Sequence, residues 1–189
     1  SGASAANRFT VTYPAGMSDV PLTGRLLLIV APAGEQEPRQ MVNWDQDAVP
    51  FFGMDVSNWK AGEKKVVGSK AFGFPIRSID DLPPGDYRVQ AVLTRYETFV
   101  RNDGHRLELP PDQGEGQVWS RKPGNLYSKP QSLRIDRLRL RPVSIVLDQK
   151  IPPGEAFEKT ETQYVRYLRI RSERLSKFWG RDIFLGAWV

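Results

Sequence analysis

Wherever the apolar pattern along this chain is strong, its period is two rather than 3.6, which is the repeat of half-buried strands. Phe9, Val11 and Tyr13 alternate with Arg8, Thr10 and Thr12, and Tyr87, Val89, Ala91 and Leu93 alternate with Arg88, Gln90 and Thr94. Leu133 and Ile135 share a face, but Leu138 and Leu140 fall on the opposite parity. That slip predicts a bulge or tight bend near Asp136-Arg137. Val143, Ile145 and Leu147 resume the alternation after Pro142, and Leu168 and Ile170 mark a further strand. The unbroken run Leu26–Ala31 predicts a central strand buried on both faces. No segment shows the stripe of an amphipathic helix of ordinary length. The chain is expected to be all-β.

Prolines and glycines punctuate it at Pro14-Ala15-Gly16, Ala61-Gly62, Pro83-Pro84-Gly85, Pro123-Gly124 and Pro152-Pro153-Gly154. About eight to ten short strands between such turns point to a two-sheet sandwich, although periodicity alone leaves a barrel open. The segment LPPGDYRVQAVL (82–93) sharpens the choice. A Pro-Gly turn followed by a Tyr that opens an alternating strand resembles the tyrosine corner of immunoglobulin-like and fibronectin-like domains. Tyr87 is therefore assigned a structural role, its hydroxyl reaching back to the upstream backbone.

Composition narrows the chemistry. The 189 residues contain no Cys and one His, His105, which excludes disulfides, thiol nucleophiles and any site needing two histidines. The 40% hydrophobic content suits one packed domain over residues 8–189. Residues 1–7 read as a disordered stub, either a vector-derived scar or a processed end. The longest apolar run is far short of the ~20 residues of a membrane span, so no membrane is expected as a partner. Charge is uneven: residues 1–120 carry 12 Lys/Arg against 15 Asp/Glu, and residues 121–189 carry 15 against 7. Arg134, Arg137, Arg139, Arg141, Arg166, Arg169, Arg171 and Arg174 mostly alternate with apolar residues and read as solvated strand faces. Nucleic acid would want several interleaved aromatic rings, and Tyr167 alone does not make it an expected partner. A contact face towards another domain or a second copy of the chain fits better.

Specific sites are weakly marked. The nucleophile elbow G-x-S-x-G is absent, and His105 follows Asn102-Asp103-Gly104, which reads as a hairpin turn. No catalytic residue is assigned. Residues 110–131, PPDQGEGQVWSRKPGNLYSKPQ, mix acids, glycines, aromatics and bases. They lack the helix a phosphate cradle needs, and Asp112 with Glu115 lacks the spacing of a calcium loop, so no cofactor or metal is expected. Trp59, Trp179 and Trp188 read as anchors, each large ring burying about 150–250 Å². Trp44 and Trp119 are the candidate exposed platforms for a carbohydrate.

Four stretches together carry a resemblance: PFFGMDVSNWKAGE (50–63), LPPGDYRVQAVLTRYETFVRNDGH (82–105), PPDQGEGQVWSRKPGNLYS (110–128) and LSKFWGRDIFLGAWV (175–189). In order and spacing they resemble the N-terminal β-sandwich region of large bacterial esterases whose C-terminal part is an enterochelin-esterase-like α/β-hydrolase. The likeness spans most of residues 20–189. It implies a non-catalytic accessory module, secreted or periplasmic, whose C-terminal end leads towards a hydrolase domain. No residue here matches that family's nucleophile, acid or histidine. Trp44, Asp112, Glu115, Trp119, Arg121 and Tyr127 are the candidate binding or docking residues, with residues 110–131 forming a docking loop. The competing expectation is a stand-alone carbohydrate-binding module.

Overall fold

The computed structural model describes residues 8–43, 48–111, 118–136, 142–153 and 161–189. Residues 1–7, Trp44, Asp112, Glu115 and Arg137–Arg141 lie outside them, and with Arg137 half of the expected bend near Asp136. Among the described residues the chain forms fourteen strands and one α-helix: β1 (Phe9–Thr12), β2 (Leu22–Pro32), β3 (Phe51–Trp59), β4 (Lys65–Val67), β5 (Phe72–Phe74), β6 (Gly85–Arg95), β7 (Glu97–Val100), β8 (Arg106–Leu109), β9 (Leu126–Tyr127), β10 (Gln131–Ile135), β11 (Val143–Val146), β12 (Gln149–Lys150), β13 (Tyr167–Arg171), α1 (Glu173–Trp179) and β14 (Phe184–Trp188).

The protein is all-β. A seven-stranded sheet runs β12-β9-β6-β2-β3-β5, with β10 also pairing with β6. A three-stranded sheet runs β11-β1-β4, with β1 parallel to β11 and antiparallel to β4. Phe9 and Val11 of β1, Val67 of β4 and Ile145 of β11 meet Leu26, Leu28 and Val30 of β2 and Val89, Ala91 and Leu93 of β6 in a single buried cluster. The two sheets thus share one core, and the period-two pattern supplies one apolar face to each.

The other face of the large sheet is covered as well. Leu27, Ile29, Phe51 and Val92 form a second buried cluster, against which Val42, Val49, Phe74, Trp119 and Tyr127 pack. This double cover explains the unbroken apolar run in β2, whose residues Leu26–Ala31 are all buried. Leu26 and Leu28 serve one cluster, Leu27 and Ile29 the other.

Tyr13 and Trp59 close one end of the core. Their rings meet edge to face at 5.0 Å, and the buried Tyr13 hydroxyl donates to the Trp59 carbonyl at 2.6 Å. Trp59 Nε1 donates to the Glu63 carbonyl at 2.9 Å, so the polar tip of the largest buried side chain is satisfied. At the start of β6 the Tyr87 hydroxyl donates to the Pro83 carbonyl at 2.8 Å.

The strand count exceeds the eight to ten expected because β4, β5, β9 and β12 have only two or three residues, too few for an alternating pattern to register. The helix α1 was equally invisible to periodicity at seven residues. Its ends are nevertheless marked: the Ser172 hydroxyl accepts from Leu175 N, and Gly180 closes the helix at φ 65°.

Candidate functional site

The second face of the large sheet carries a polar network that the alternation of β6 conceals. Gln90 is fully buried at the centre of that strand. Its amide donates to the Ser128 carbonyl at 2.8 Å and to Glu37 Oε1 at 2.9 Å, while its own oxygen accepts from Arg39 N at 2.9 Å. Arg39 Nε donates to Glu37 Oε1 at 2.6 Å, and Arg39 Nη1 donates to the Ser120 carbonyl. The Arg39 guanidinium lies over the Tyr127 ring, 4.3 Å from its centroid. For Glu37, burial opposes ionisation, but the hydrogen bonds from Arg39 and Gln90 and the charges of Arg39 and Arg88 outweigh it. The carboxyl is held below its ordinary value.

Residues 118–131 are bound to this network through interrupted strand pairing. β9 pairs with Val92 and Leu93, whereas β10 pairs with Gly85–Val89, and Lys129-Pro130 breaks the ladder between them. Ser128 repairs the gap: its N–H donates to the Ala91 carbonyl at 2.9 Å, and its hydroxyl accepts from Ala91 N at 3.0 Å. Asn125 does the same one step further, accepting from Arg95 N at 3.0 Å and donating to the Trp119 carbonyl at 2.9 Å.

The structure therefore brings Trp119 and Tyr127 together on one apolar cluster, both half-buried, and leaves Arg121 exposed. Trp119 is packed against the sheet on one side. Trp44, Asp112 and Glu115 are outside the described residues. The partners that fix the loop, namely Glu37, Arg39, Gln90, Asn125 and Ser128, were not singled out from sequence. Gln90 was the available signal, a polar residue set in a run that is otherwise buried. His105 lies exposed in the turn of the β7–β8 hairpin, with Gly104 at φ 82°.

The C-terminal part builds a different surface. Strands β13 and β14 form a two-stranded antiparallel ribbon in which Tyr167 pairs with Trp188 and Arg171 with Phe184. Helix α1 connects them and seats on the β7–β8 hairpin. Trp179 meets Phe99 edge to face at 5.9 Å, Arg101 stacks over Phe178 at 4.6 Å, and Asn102 N donates to the Phe178 carbonyl at 3.0 Å. Ser172 N donates to the Ile183 carbonyl, and the Ser176 hydroxyl accepts from Ile183 N at 2.9 Å, which ties the helix to the ribbon.

Strand pleating sorts the ribbon into two chemically distinct faces. Leu168 and Ile170 share one face with their cross-strand partners Ala187 and Leu185. This face is wholly aliphatic and open, with Leu168 45%, Ile170 60% and Leu185 53% exposed. The opposite face carries the Tyr167–Trp188 ring pair at 5.2 Å and Arg169 over Phe184 at 4.0 Å. Trp188, expected as a buried anchor, is 41% exposed there. Arg171 pairs with Asp182 and Arg166 with Glu161, so charge rims the ribbon.

Among the described residues no helix is long and apolar enough to cross a membrane, and no group of three His, Asp or Glu side chains is placed to hold a metal ion. The chain matches no protein-family model, no curated protein and no solved structure.

Proposed function

We propose that the chain is an accessory module of an esterase-like protein: an immunoglobulin-like or fibronectin-like β-sandwich that packs through its C-terminal ribbon on an α/β-hydrolase domain of the same parent chain. The observation that carries this reading is the open aliphatic face of β13 and β14. Leu168, Ile170 and Leu185 are contiguous and left uncovered by the described residues, and a contiguous exposed apolar patch marks an interaction surface. Two independent features support it. The Tyr87–Pro83 bond has the form of a tyrosine corner, and two sheets enclose one core. Residues 175–189 also resemble the segment that leads into the hydrolase in that family. In this reading the module shapes access to the hydrolase cleft without contributing a catalytic group, and the protein is secreted or periplasmic.

The test is hydrogen exchange on this chain alone and on any longer product that its gene encodes. If a hydrolase domain follows, the ribbon amides of residues 167–171 and 184–188 should become protected in its presence. A coding region that encodes no downstream nucleophile elbow would sink the proposal. So would ester hydrolysis by the 189-residue chain alone that a single substitution within it abolishes. The competing reading is a stand-alone carbohydrate-binding module through Trp44 and Trp119.

A further inference from the structure

At one end of the large sheet the second face changes character. Along β2 the residues on that face run Ile29, Leu27, Arg25, and along β6 they run Val92, Thr94, followed by Tyr96. Arg25 pairs across β3 with Asp55, so three neighbouring strands turn from apolar to polar at the same level. Beyond that line lies an open cleft of about 430 Å³, which Glu108 of β8 also lines. The volume falls within the range of small-molecule sites, about 300–1,000 Å³.

The backbone at this end is shaped to open the cleft. The β2–β3 register shifts between Leu22 and Gly24, and Asn58 takes a positive φ of 49°. Its N–H donates to Thr23 Oγ1 at 3.1 Å. The Arg25 Nη1 donates to Asp55 Oδ1 at 2.8 Å, and the guanidinium lies over Gly53, where a Cβ would come within 3.1 Å of Nε and Nη2. Among the described residues, the hydroxyls of Tyr96 and Ser57 and the carboxylate of Glu108 make no hydrogen bond or ion pair, although all three line the cleft. Burial, reinforced by Asp55 and partly offset by Arg25, raises the pKa of the Tyr96 hydroxyl above its ordinary value.

We propose that this cleft binds a neutral saccharide, whose paired hydroxyls are shared between Arg25 and the carboxylates of Asp55 and Glu108, and whose apolar face lies against Tyr96. Planar groups with two acceptors or two donors match neighbouring ring hydroxyls, and a phenol ring matches the C–H face of a pyranose. Arg25 pairs with Asp55, so the remaining Glu108 carboxylate disfavours an anion, and the cationic alternative is the outcome that spermidine tests. The site is separate from the C-terminal ribbon and independent of the docking proposal.

The ¹⁵N-labelled 189-residue chain should be titrated with neutral oligosaccharides of cellulose, xylan, starch and chitin type, with spermidine as a cationic control. One saccharide is expected to give saturable shifts at the amides of Gly24, Arg25, Asp55 and Tyr96, with a Kd of about 1 mM or tighter. Glu108→Gln, on an exposed strand residue, and Tyr96→Ala should each weaken it by about tenfold or more while leaving the circular dichroism unchanged. The proposal is overturned if no saccharide shifts these amides, if the shifts map instead to residues 118–128, or if spermidine saturates the cleft and the sugars do not.

Discussion

Gln90 and Ser128 face each other across the point where the β6 edge ladder breaks, and the Gln90 amide bonds the Ser128 carbonyl at 2.8 Å. The same side chain holds Glu37 and the backbone of Arg39. One buried polar residue therefore pins two loops, residues 34–43 and 118–128, onto the second face of the sheet. A buried polar group left without its partner costs about 1–3 kcal/mol. Gln90→Leu should lower stability by at least that amount, because it orphans both the Ser128 carbonyl and the Arg39 N–H. The urea midpoint is the measurement, and a midpoint within error of the parent would contradict the network's importance.

Glu37 makes that network pH-dependent. Its folded-state carboxyl lies below the ordinary 4.5, so the folded state favours the charged form. The stabilisation is present above 4.5 and is lost as pH falls through the lower folded value. Glu37→Gln should therefore be less stable than the parent at neutral pH, with the gap closing in acid. The side chain is 34% exposed, so solvent screens the effect and the gap should be modest. Parallel urea titrations at pH 7 and pH 3 decide it, and a gap that widens in acid would reverse the assignment.

Those two residues show what the sequence made legible and what it hid. The alternation of Val89, Ala91 and Leu93 located β6, and the unbroken Leu26–Ala31 run identified a strand covered on both faces. Nothing in the pattern said what the second cover was. It is loops, held by Gln90, Ser128 and Asn125, and loop conformation leaves no periodic trace. The short strands β9 and β12 depend on pairing with β6 and with each other rather than on their own propensity. The exposed ribbon faces were legible only as alternation of Leu168 and Ile170 with Arg169 and Arg171. That pattern is shared by any half-buried strand, and here neither face is buried by the described residues.

Gly24 is required by close backbone approach. A Cβ at this position would lie 2.0 Å from the Thr94 carbonyl oxygen, which belongs to the paired β6 backbone and cannot swing aside. Gly24→Ala must push β2 and β6 apart at the rim of the polar cleft. A loss of about 1–3 kcal/mol or more is expected, as for forced overpacking. Thermal unfolding would show it. Gly16→Ala, where nothing lies within 4 Å, serves as the control and should be close to neutral.

Tyr87 tests the corner at the start of β6. Tyr87→Phe keeps the ring and removes only the 2.8 Å bond to the Pro83 carbonyl. The expected loss is about 0.5–1.5 kcal/mol, the net worth of one hydrogen bond. Tyr87→Ala should cost clearly more, because the ring also packs against the shared core. Equal midpoints for the two variants would mean that the ring contributes nothing beyond its hydroxyl.

Trp179 should control the ribbon without controlling the sandwich. Its edge-to-face contact with Phe99 is part of the seat of α1 on the β7–β8 hairpin, and α1 in turn holds β13 to β14 through Ser172 and Ser176. An aromatic pair of this kind is worth about 0.5–1.5 kcal/mol beyond its buried area. Trp179→Ala should therefore loosen the helix seat locally, raising hydrogen exchange at residues 167–171 and 184–188 by about tenfold, since 1.4 kcal/mol is one decade. The amides of β2 and β6 belong to the main core and should exchange as in the parent. Loss of protection in β2 and β6 to the same degree would show instead that ribbon and sandwich unfold as one cooperative unit.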